Sequence, residues 1–97
     1  MFEEGQGISR LKLAHEMRYD SKIWKAQRQA GLTLTPGERE KLVKEVFSSA
    51  LGRNISKTDL KVSIKKLGRK LVDTKDPKQH ERIRKEIKFF KKIGGIQ

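Results

Sequence analysis

The sequence predicts an all-α fold: one small domain of four or five helices, with a three-helix core over residues 36–93 and an N-terminal helical arm over residues 8–30. Three observations carry this expectation. From Leu42 onward the apolar residues recur at spacings of three and four, the period of a helix face. Helix starts and stops punctuate the chain at Thr35–Pro36, Gly52, Ser56, Asp76–Pro77 and Gly94–Gly95. No pair of segments alternates apolar and polar residues as partnered strands would. At 97 residues, 34% hydrophobic and 37% charged, the chain can build one modest core and must place its apolar residues well.

Between Gly5 and Gly31 the apolar residues Ile8, Leu11, Leu13, Ala14, Met17, Ile23, Trp24, Ala26 and Ala30 do not settle on one stripe. From Ile8 to Ala30 the segment is nonetheless rich in Ala, Lys, Arg, Gln and Leu and free of proline and glycine, which favours helix. Asp20 and Ser21 offer a second N-cap mid-segment, so one long helix and two short ones with a break near Tyr19 are both open. Leu32, Thr33 and Leu34 have no partner run and are expected as an extended linker.

Thr35, Pro36 and Glu38 then form a capping box with proline at the first helical position. The helix they start is expected to reach about Leu51, burying Leu42, Val43, Val46, Phe47, Ala50 and Leu51 and stopping at Gly52. Ser56 caps the next helix, with Asp59 in its first turn and Leu60, Ile64, Leu67 and Leu71 as its core seam to about Val72. Gly68 weakens this helix and is expected to mark the close approach of another backbone. Asp76 and Pro77 start the last helix, whose stripe is Ile83, Ile87, Phe90 and Ile93. The short connection between these two helices makes them antiparallel neighbours.

Charge is distributed very unevenly over this frame. From Arg53 to Lys92 there are fifteen basic and five acidic residues, a surplus of ten, whereas the first 51 residues carry about +2 of the total of +12. Lys57, Lys61, Lys65 and Arg69 stand in a row at spacing four, with Lys66 and Lys70 beside them. Like charges four apart cost a free helix roughly 0.2–0.5 kcal/mol per pair, a repulsion that an anionic ligand relieves. The expected function is therefore binding of nucleic acid, DNA or RNA, through Arg53, Lys57, Lys61, Lys65, Lys66, Arg69 and Lys70, extended by Lys78, Arg82, Lys85, Lys88 and Lys92. Sixteen lysines against eight arginines favour phosphate contact over base reading.

Helix, glycine-containing turn and helix over residues 36–72 raise a helix-turn-helix reading, with residues 56–66 entering a groove and residues 52–55 as the turn. Thr58 and Lys61 fall where that motif packs apolar residues, so the favoured geometry is the basic hairpin of the last two helices lying across a phosphate backbone. Tyr19, Trp24, Phe89 and Phe90 are candidates for stacking on unpaired bases. Phe90 belongs to a core stripe and Trp24 flanks one, so Phe89, among Lys88, Lys91 and Lys92, is the aromatic expected in solvent.

Other classes find less support. His15 and His80 are each followed by glutamate without the second histidine of a helical zinc site, and Asp73 and Asp76 are accounted for by exposure and capping. There is no phosphate-binding glycine loop and no nucleophile elbow, so neither enzymatic activity nor a metal or cofactor is expected. The lack of cysteine, and residues 1–5 with neither a basic leader nor an apolar core, lead to the expectation of a cytoplasmic or nucleoid-associated protein. The amphipathic stretch at residues 85–93 is short and without a lipidation signal, which argues against a membrane partner. The competing reading is a protein-interaction module or small regulator, docking on a larger complex or forming a homodimer through the N-terminal arm.

Overall fold

The structure, a computed structural model, describes residues 7–96, so the expectation drawn from residues 1–5 lies outside the described residues. Among those described, five α-helices follow one another: α1 (Arg10–Tyr19), α2 (Ser21–Gln29), α3 (Pro36–Val46), α4 (Lys57–Asp73) and α5 (Pro77–Gly94), with a 3-10 turn at Ser48–Ala50.

Asp20 divides the N-terminal segment into two helices. Its backbone N–H closes α1 on the Glu16 carbonyl at 2.8 Å, while its Oδ1 accepts from the N–H groups of Lys22 (2.9 Å) and Ile23 (3.1 Å) to start α2. One residue thus satisfies the orphan groups of both ends. The break resolves the mixed apolar pattern, because each short helix turns its own face inward: Leu13 and Met17 from α1, Ile23, Ala26 and Gln27 from α2. Gln27 locks the pair to α3. Its buried amide donates to the Met17 carbonyl at 2.6 Å and accepts from the Arg39 guanidinium at 3.4 Å.

Both N-terminal helices are packed into the same core as α3–α5, with α1 against α3 and α2 against α5. A Cα radius of gyration of 12.5 Å, close to the roughly 13 Å of a compact hundred-residue domain, leaves no room for an arm standing off the body. Ile8 anchors the entry to α1 through a two-bond bridge with Ile55 (3.3 and 2.7 Å). Leu32 and Leu34 of the extended linker are both buried.

The capping box at Thr35 and Glu38 is formed, with bonds of 3.2 and 3.1 Å. α3 ends at Val46 rather than near Leu51. Phe47 leaves the helical region (φ −110°, ψ 35°), and Ser48–Ala50 winds into the 3-10 turn. Leu51, expected on the buried face, is 74% exposed. The connection from Phe47 to Ser56 is therefore too long for a helix-turn-helix, and Ile55, expected within its turn, is fully buried.

α4 and α5 run antiparallel, since Leu60 in the first turn of α4 meets Gly94 in the last turn of α5. A Cβ on Gly94 would overlap the Leu60 side chain, so this is the glycine that permits close packing. At Gly68 nothing lies within 4 Å of where a Cβ would stand, which corrects the expectation of a backbone approach there. The seam of α4 is Leu60 and Leu67, fully buried or nearly so, with Ile64 and Leu71 partly covered and Ser63 donating to the Val46 carbonyl at 3.1 Å.

Phe89 is also corrected: it is wholly buried, 5.1 Å from Phe90, which in turn meets Phe47 edge-on at 5.5 Å. α5 packs on α2 as well as on α4, so its inward face is wider than a single stripe and takes in Ile83, Glu86, Phe89, Phe90 and Gly94. No base can reach Phe89 or Phe90 in this fold.

Candidate nucleic-acid interface

With Leu60, Ser63 and Leu67 facing the core, a turn of about 100° per residue sets Lys65 and Arg69 on the opposite side of α4. Lys57 and Lys61 continue the row towards the N-terminus, and all four are exposed. Among the described residues no carboxylate lies within ion-pair distance of any of them. On α5 the burial of Ile83, Glu86 and Phe90 likewise turns Arg84, Lys88 and Lys92 outward. Because the helices are antiparallel, Lys57 and Lys61 are level with the Lys88–Lys92 end of α5, and Arg69 with the turn that carries Arg84.

The other predicted residues go elsewhere. Lys66 and Lys70 border a depression of about 320 Å³ with Leu42, Glu45 and Val46 of α3 and Glu86 of α5. Lys78 and Lys85 lie at the junction of α2 and α5, around a depression of about 290 Å³ that also takes in Gly31, Leu32, Thr33 and Arg82. Lys85 pairs with Glu81 at 3.6 Å. Two arginines are committed to carboxylates. Arg53 grips Asp59 with both nitrogens, at 2.5 and 2.7 Å, and Arg82 bonds Glu38 at 2.8 Å and reaches Glu86 at 3.7 Å.

The basic residues therefore do not form one continuous platform. Lys57, Lys61, Lys65, Arg69, Lys88 and Lys92 share the outward side of the α4–α5 hairpin. Lys66 and Lys70 sit on its α3 flank, Lys78 and Lys85 on its α2 flank. Arg84 joins the outward group without having been singled out from the sequence, although its spacing of four from Lys88 and eight from Lys92 was the available signal.

The ionisation of the acidic groups follows from these contacts. The Arg53 guanidinium, and then the Ser56 backbone and hydroxyl, hold Asp59 well below the usual carboxylate range, and Asp59 in turn raises Arg53. Glu38 is lowered to about 2, first by the Thr35 N–H and then by Arg82. Burial pushes Glu86 upward, against the attraction of Arg82 and Lys70. It is 7% exposed, with the Arg82 guanidinium approaching its carboxylate at 3.7 Å.

Tyr19 and Trp24 remain in solvent, 63% and 43% exposed. Arg18 lies over the first ring at 5.2 Å and Arg28 over the second at 4.8 Å. Among the described residues no three of His, Asp and Glu gather as metal ligands, and no helix is long and apolar enough to cross a membrane. Comparison of the chain with protein-family models, with curated proteins and with solved structures finds no match.

Proposed function

We propose that this protein binds nucleic acid without strong sequence preference, holding the phosphate backbone on the outward side of the α4–α5 hairpin. The observation that carries the reading is the row Lys57, Lys61, Lys65 and Arg69: four exposed cations one turn apart, without a carboxylate in ion-pair reach among the described residues. A surface left this uncompensated is a local cost that phosphates at helical-turn spacing offset. Lysines on a rigid helix give affinity and register, with little to distinguish one base from another. Lys88, Lys92 and Arg84 extend the contact on α5, whereas Arg53 and Arg82, already paired, serve the fold.

The test is the double variant Lys61→Glu/Lys65→Glu, assayed against duplex DNA, single-stranded DNA and structured RNA. Binding should be abolished with helical content and Tm nearly unchanged. Intact affinity would favour the second reading, a protein-interaction module. That alternative draws on Leu11, 74% exposed at the edge of a depression of about 300 Å³ between α1 and the turn after α3, and on Leu51, equally exposed in that turn.

A further inference from the structure

We propose that α2 carries a stacking site for unpaired bases, with Trp24 as the platform, which rests on the nucleic-acid reading and adds to it that the partner presents a single strand. Every other apolar side chain of α2 is buried: Ile23 and Ala26 within the helix and Ala30 at its end. Trp24 alone is turned away, with 43% of its surface in solvent.

Arg28, one turn on, lies over the ring with its Cζ 4.8 Å from the centroid. Tyr19, at the end of α1 across the Asp20 break, repeats the arrangement, 63% exposed with Arg18 over it at 5.2 Å and His15 beside it at 4.7 Å. Two exposed aromatic rings, each with a guanidinium in cation-π range, suit a ligand that couples a flat π face to an anion. A nucleotide has both.

Charge complementarity selects the same occupant. α2 holds Lys22, Lys25 and Arg28 and no acidic residue, and the carboxylate of Asp20 is occupied in capping. At the far end of the helix, Lys78 lines the depression beside Gly31, together with Lys85, whose ammonium is paired with Glu81 at 3.6 Å. Phosphates following a stacked base along α2 would meet these cations. In a duplex the base faces are covered by their neighbours, so this site discriminates by strandedness where the α4–α5 surface does not.

Trp24 is the only tryptophan, so its emission reports on the site directly. The full-length protein is titrated at low salt with a short oligothymidylate, a blunt DNA duplex and heparin, following both binding and fluorescence. Oligothymidylate should quench most of the emission, while heparin and duplex bind with little quenching. Trp24→Ala should weaken oligothymidylate binding roughly tenfold, leave heparin binding unchanged, and be largely restored by Trp24→Phe. Oligothymidylate binding without quenching, or with full affinity in Trp24→Ala, would overturn the stacking site and leave the phosphate surface standing. Failure to bind any of the three polyanions would instead remove the nucleic-acid reading, and the stacking site with it.

Discussion

Glu86 is the residue most at odds with its surroundings. It lies among Leu42, Val46 and Leu67, and burial raises its pKa above the ordinary 4.5 although Arg82 and Lys70 pull the other way. A carboxyl whose folded value is raised favours folding while protonated, and this contribution is lost as pH rises through the folded value. Glu86→Gln mimics the protonated form. It should raise Tm by a few degrees at neutral pH, and the gain should vanish in acid, where wild-type Glu86 is itself neutral; a melting series against pH checks both ends. Gly68 offers a second gain. It sits inside α4 with free space where a methyl group would go, so Gly68→Ala should stabilise by about 0.5–1 kcal/mol in urea denaturation. The same substitution at Gly94, against Leu60, would force the α4–α5 contact apart.

Among the elements, α4 has the most elaborate start. Ser56 and Asp59 form a capping box, with Asp59 also accepting from the Ser56 hydroxyl at 2.9 Å and from Arg53. The helix bearing the cationic row is thus fastened at the end nearest its first lysine, Lys57. Asp59→Ala should destabilise the protein by about 1 kcal/mol at neutral pH, the usual worth of such a cap. Because the folded-state pKa of Asp59 is depressed, its contribution is full above the ordinary 3.8 and is lost as pH falls through the lower folded value. Glu38, which caps α3 and holds Arg82, behaves alike between its ordinary 4.5 and about 2. The wild-type and Asp59→Ala melting curves should therefore stay apart from pH 7 down to about 5 and converge in stronger acid.

For the whole molecule, the relevant quantity is the number of cations that one backbone can touch at once. Seven cations share the outward side of the hairpin, six of the twelve predicted from charge together with Arg84, so the logarithm of the binding constant should fall with the logarithm of salt concentration at a slope of about −6 on duplex DNA. A slope near −10 would mean that the α2 and α3 flanks also bind, and a flat line would rule out a phosphate surface. The local signals in the chain were strong: the capping residues, the seam of α4 and the outward row of lysines all follow from spacing along one helix, which depends only on the backbone period. Where a residue's environment is made by two or three helices, spacing could not say. Phe89 is buried because α2 covers the side of α5 that a single stripe would leave open, and Gln27 and Glu86 are enclosed by elements distant in sequence. The amino-acid sequence by itself determined the all-α class, the helix starts and the excess of positive charge, because each is a property of neighbours along the chain. Only the tertiary structure decided which cations face the same way, which are already neutralised by carboxylates, and which aromatic rings stay in water, because burial and pairing are set by contacts between helices.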